Sequence, residues 1–154
     1  MTYSLARGSA RRYVLDANAL ISFFEDRSGS AEKVRQMLAQ ALRQDVPVLM
    51  SAVNWGEVFY VAWKHHGEGK AHEAEVKLQQ LPVEVIAVDR ERATRAAALK
   101  QKHGLGYADA FAAELAMEQR AWLVSADPEF SKVGKALSLY PLPRHQKKAA
   151  PDSR

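Results

Sequence analysis

Short β-prone runs alternate with longer stretches of helical periodicity along this 154-residue chain, and that alternation admits few architectures. The runs are 12–15, 48–50, 83–88, 122–125 and 137–140. After the first, Ala19, Leu20, Phe23 and Phe24 form an apolar helical pattern that breaks at Ser28-Gly29-Ser30. A second helix is predicted over 31–43, with Val34, Met37, Leu38, Ala41 and Leu42 on one face. Ser51 is placed to cap a helix over 52–65, Gly67 and Gly69 separate it from another over 70–80, and Asp89 can cap a third over 90–103. Gly104-Leu105-Gly106 then makes a loop before a helix over 107–120, and Asp127-Pro128 opens a short one. Strands separated by helices imply crossover connections, hence an α/β fold with a mostly parallel central sheet flanked by helices on both faces.

The length suits one domain, expected over 12–143, with no internal repeat or long linker. Hydrophobic residues make up 47% of the chain and charged residues 26%, an ordinary balance for a folded domain. There is no cysteine, which excludes disulfides, thiolate nucleophiles and cysteine zinc sites and is compatible with a reducing cytoplasmic setting. Neither a signal-peptide core nor a membrane-spanning apolar run is present. The net charge of +4 is concentrated at the ends. Arg7, Arg11, Arg12, Arg144, Lys147, Lys148 and Arg154 lie there against Asp152 alone, which leaves 13–143 at about −2. Residues 1–11 and 144–154 are therefore expected to be basic, flexible tails, suited to contacts with a polyanion beside an acidic centre.

That centre is suggested by four acids. Asp16 directly follows the first strand run, where a carboxylate projects from the carboxyl edge of a parallel sheet. Asp127 follows the fourth run, although an aspartate before proline also reads as a plain N-cap. Glu57 sits among Val53, Trp55, Val58, Phe59 and Val61, so its carboxylate is expected to be partly buried; Lys64 or Asn54 would be its structural partners. Asp109 lies in the first turn of its helix, where the helix dipole alone can favour an anion, with Ala112, Ala113 and Ala116 permitting close packing along its side. Glu114 of that helix is expected to face solvent. Clustered carboxylates repel, and a hard divalent cation such as Mg²⁺ or Mn²⁺ relieves the conflict through oxygen ligation. Asn18 and Ser125 are candidates for orienting the acids by hydrogen bonds.

Other chemistries are disfavoured. The five histidines lack paired-ligand spacing and read as surface residues; Ser51 and Ser125 have no histidine partner, and no phosphate-binding glycine loop occurs. The aromatic residues Phe23, Phe24, Trp55, Phe59, Tyr60, Trp63 and Phe111 fit core or interface positions, with Phe59, Tyr60 and Trp63 suggesting a groove for a partner helix.

Together, Tyr13-Val-Leu-Asp16-Ala-Asn18, Ser51-Ala-Val-Asn-Trp-Gly-Glu57, Tyr107-Ala-Asp109-Ala-Phe and Leu-Val-Ser125-Ala-Asp127-Pro-Glu-Phe resemble the motifs of the PIN-domain family, specifically VapC-type toxins, over about 12–140. The resemblance implies a PIN-like fold and a metal-dependent endoribonuclease in which Asp16, Glu57, Asp109 and Asp127 hold Mg²⁺ or Mn²⁺. It also implies a cognate VapB-type antitoxin, an RNA substrate and a homodimer. Two other readings compete. A phosphoryl-accepting protein built on Asp16 would want a second carboxylate where Asn18 stands. A noncatalytic PIN-like module binding RNA or protein would have no need to maintain four mutually repelling acids.

Overall fold

The computed structural model describes residues 11–144, so the tail reading concerns segments that lie, but for Arg11 and Arg144, outside the described residues. The chain runs β1 (Tyr13–Leu15), α1 (Ala17–Phe24), α2 (Ser30–Gln44), β2 (Val48–Ser51), α3 (Ala52–His66), α4 (Glu68–Gln79), β3 (Val83–Ile86), α5 (Arg90–His103), α6 (Tyr107–Glu118), β4 (Trp122–Ser125), a 3₁₀ helix (Pro128–Ala136) and β5 (Leu139–Pro141). The expected elements are all present, with boundary shifts of one or two residues at most ends. The third strand stops at Ile86, where its partner β2 stops at Ser51. The last begins at Leu139, in register with Leu123.

The five strands form one sheet in the order β3-β2-β1-β4-β5, and every pairing is parallel. Successive side chains of a strand point to opposite faces, and here each face meets its own core. Tyr13, Leu15, Val48, Met50 and Val124 pack with α1, α2 and parts of α3 and α4. Val14, Leu49 and Leu123 pack on the other face with Ala96 of α5, the alanine-rich side of α6 and Phe130 of the 3₁₀ helix. Strands buried on both sides must read as continuous apolar runs, which is why YVL, VLM and WLV show no alternation. Truncating a wholly buried side chain such as Leu15 to alanine would cost about 2–5 kcal/mol.

The caps follow the sequence. The hydroxyl of Ser51 accepts from the Val53 N–H at 3.2 Å, and Asp89 accepts from the Arg92 N–H at 2.8 Å. Gly104 closes α5 in the left-handed region, φ 68°, where a side chain would be strained. Leu42 departs from expectation: assigned to the buried face of α2, it is 73% exposed, because the helix turns only Val34, Met37, Leu38 and Ala41 inward. Among the described residues, no helix is long and apolar enough to cross a membrane.

From β1 the chain moves outward to β2 and β3, then returns through α5 and α6 to add β4 on the opposite side of β1. The strand order therefore reverses between β1 and β4. Open parallel sheets present a crevice outside the carboxyl ends of the strands at such a reversal.

Candidate active site

Asp16 stands at that crevice. Its backbone N–H bonds the Val124 carbonyl of β4 at 3.3 Å, so the carboxyl ends of the two central strands are tied together at this residue. Its side chain is only 3% exposed, and one carboxylate oxygen, Oδ1, caps α1 by accepting from the Ala19 N–H at 2.8 Å. The other, Oδ2, accepts from the Ser125 hydroxyl at 2.5 Å. No cation reaches it among the described residues. Burial pushes the Asp16 carboxyl up to about 7, against the lowering effect of its two hydrogen bonds, and the charges of Asp109 and Asp127 push the same way.

Ser125 does more than orient one acid. While its hydroxyl donates to Asp16, its oxygen accepts from the Asp127 N–H at 2.9 Å, so one buried side chain fixes both carboxyl-edge aspartates. Asp127 in turn caps the 3₁₀ helix through the Glu129 N–H at 2.9 Å, with Pro128 at its start. The capping role read from Asp-Pro is present, and it leaves the carboxylate at the crevice beside Asp109.

Asp109, in the first turn of α6, is half-buried. Its carboxyl is raised to about 6, first by burial, then by the charges of Asp127 and Glu57 and by side-chain contact with Asp127. Glu129 adds a smaller push, a fifth acid that sequence reading passed over. Glu57 is exposed on α3 rather than enclosed, although the protein behind it still raises its carboxyl above the usual range. No ion pair joins it to Lys64 among the described residues. Lys64 lies instead over the Tyr60 ring.

The four predicted acids are connected by their charges: Asp109 and Asp127 act on Asp16, and Asp127 and Glu57 act on Asp109. Among the described residues, no three His, Cys, Asp or Glu side chains close on a common ion position. The donor set is all oxygen and carries uncompensated negative charge, which suits a hard divalent cation.

Two orienting residues differ from the sequence reading. Asn18 is exposed and makes no hydrogen bond to Asp16, because Asp16 itself takes the cap position. Asn54, expected beside Glu57, is 1% exposed and donates through Nδ2 to the Ala108 carbonyl at 3.0 Å. It fastens the start of α3 to the turn carrying Asp109, and its Oδ1 is buried without a partner. Glu114 is a correction: far from solvated, it is 3% exposed, held by Arg92 Nη1 at 3.0 Å and Arg95 Nη2 at 3.1 Å. The histidines His65, His66 and His72 do lie at the surface, His103 at the end of α5 is half-buried instead, and His145 lies outside the described residues.

A doubly covered parallel sheet with an acid-lined crevice at its strand-order reversal defines a class of α/β site proteins. Within that class the assignment is specific: the PIN domain family model matches residues 13–136, and the chain belongs to that family. No curated protein matches the chain at a significant level. Among solved structures, a VapBC2 complex from Rickettsia felis bound to a promoter DNA fragment is similar at a TM-score of 0.65 and 16% identity, over 85% of this chain and 98% of that one. A toxin–antitoxin complex from Klebsiella pneumoniae is similar at 0.59 and 25% identity, over 81% and 94%. A sarcin-ricin-loop-cleaving VapC toxin from Mycobacterium tuberculosis is similar at 0.58 and 19% identity, over 79% and 95%.

Proposed function

We propose that this chain is a metal-dependent endoribonuclease, the toxin of a VapBC-type toxin–antitoxin pair, working as a single PIN domain over 12–143. The observation that carries the reading is Asp16, a buried carboxylate tied by Ser125 to Asp127 and set in the field of Asp109, with no cation among the described residues to balance it. A protein that only needed structure would gain by replacing such a group. The sarcin-ricin-loop-cleaving relative supports RNA as the substrate.

Asp16, Asp109, Asp127 and Glu57 would hold Mg²⁺ or Mn²⁺. When bound, such a cation supplies charge neutralisation at the phosphate and a water of lowered pKa. The residues of the chain do the rest. Ser125 and the Ala19 N–H each orient one oxygen of Asp16, Asn54 fixes the turn that aims Asp109, and the exposed Glu57 stands where it can accept a proton from solvent-side water. None of these groups needs to act as a covalent nucleophile.

The antitoxin part of the reading draws on the neighbours solved as VapBC2 and as a toxin–antitoxin complex, and the homodimer part on the family resemblance alone. A groove of about 540 Å³ between α1, α3 and α4, lined by Ile21, Phe24, Val58, Val61 and Ala74 with Lys70 at its rim, supports a helical partner. None of the aromatic trio expected to form such a groove lines it: Tyr60 and Trp63 are exposed, and Phe59 packs against Trp55, Trp63 and His72.

The test is cleavage of total cellular RNA by purified protein with Mg²⁺ or Mn²⁺, with EDTA and Asp16→Ala as controls. Discrete products lost in both controls are expected. Intact RNA under every metal condition, with folded protein, would overturn the reading.

A further inference from the structure

Asp127 and Ser125 have a second face. Beyond the acids they border a separate groove of about 310 Å³, whose other walls include Ser131 of the 3₁₀ helix, Leu139 and Pro141 of β5, and Arg144. The volume is at the small end of ligand pockets (~300–1,000 Å³), too small for a folded partner's helix and adequate for one flat heterocycle. Its walls are mainly apolar: the exposed Pro141 belongs to neither core, while the partly buried Leu139 packs against the second core. Among the described residues Arg144 is the one cation lining it, and it stands exposed.

We propose that this groove receives one unstacked nucleobase of the RNA strand being cut, next to the scissile phosphate, with Arg144 contacting the adjoining phosphate. The inference rests on the ribonuclease reading and deepens it. Continuity carries the placement: Asp127 belongs to both the acidic crevice and the groove wall, so a strand whose phosphate meets the acids delivers a neighbouring base to the groove. Charge carries the choice of occupant, because a polyanion crossing four carboxylates needs a cation beside them, and a guanidinium binds phosphate with directed hydrogen bonds. Proteins read single-stranded RNA by splaying bases into such pockets. Arg144 and Ser131 are on this account specificity residues; neither touches the reacting atoms.

The experiment uses full-length Asp16→Asn protein and a fluorescent single-stranded RNA carrying one abasic site moved along the strand, with binding read by anisotropy. One abasic position is expected to weaken binding about tenfold. Adding Ser131→Trp, which plugs the groove from an exposed position, should bring intact RNA down to the abasic level and erase that positional penalty. Adding Arg144→Ala should weaken all strands alike and lower the salt slope by about one. A uniform abasic profile, a penalty unchanged by Ser131→Trp, a salt slope unchanged by Arg144→Ala, or no RNA binding at all would overturn the proposal. A positional penalty erased by Ser131→Trp, in a protein whose wild type cuts nothing with Mg²⁺ or Mn²⁺, would keep the groove and overturn the nuclease reading.

Discussion

Asp16 and Glu114 are equally buried, at 3% exposure each, and the protein treats them in opposite ways. Glu114 sits under two guanidiniums, with Arg92 also bridging to Glu118 at 3.1 Å. Asp16 has a hydroxyl, one amide and other acids around it, and its carboxyl rises to about 7. Burial alone therefore does not mark a functional acid. What separates them is whether the fold supplies the countercharge: it does on the α5–α6 side, and it leaves that to something else at the carboxyl edge.

The largest effect that would break this contrast is on turnover. Asp16→Ala should reduce chelator-sensitive RNA cleavage by about 10²–10³-fold, measured as product formation at saturating Mn²⁺. The matching change on the other side, Arg92→Ala, should leave the acids untouched but cost about 3 kcal/mol of stability, since Glu114 keeps only the half-exposed Arg95. Urea denaturation reads it, and cleavage per folded molecule should stay within about twofold. If Arg92→Ala abolished cleavage without unfolding, the division of roles would be wrong.

A smaller effect concerns pH. The folded-state carboxyls of Asp16 and Asp109 are raised, to about 7 and about 6, above the ordinary 3.8. The folded protein then binds more protons than the unfolded one between pH 4 and 7, so stability without metal falls as pH rises through that window. Asp16→Asn keeps a capping side chain and removes the charge, and should raise stability in EDTA at pH 8 by about 2 kcal/mol. Thermal melts at pH 5 and pH 8 check this. Equal losses for wild type and variant would sink it.

The smallest expected change sharpens the role of Ser125. Ser125→Ala removes a hydrogen bond that lowers the Asp16 carboxyl and leaves the Asp127 N–H without a partner, at a cost of about 1 kcal/mol. The acidic limb of the cleavage pH profile should move to higher pH. An unmoved limb would show that Asp16 does not control it.

The sheet was legible because strands buried on both faces must be apolar throughout, and the helices because their caps are local: Ser51, Asp89 and Asp127 each bond an N–H two or three residues on. The acids were legible for the same reason, since Asp16 and Asp127 sit where strands end. Glu114 was not. Its countercharges lie 19 and 22 residues away on another helix, and a glutamate among alanines gives no sign of which side its neighbour packs on. Asn54 escaped likewise, because its partner is a backbone carbonyl 54 residues distant. Asn18 was overvalued because two side chains, its own and that of Asp16, were suited to one cap and only the geometry chooses between them.

The outer strand β5 is three residues long and ends in Pro141, paired opposite Ser125. A proline cannot donate to an incoming chain, and so short an edge offers few free backbone groups. At the opposite border, β3 carries the exposed charge of Glu84. Among the described residues both margins of the sheet thus resist growth by strand addition, which guards a high local concentration of this protein against fibrous aggregation.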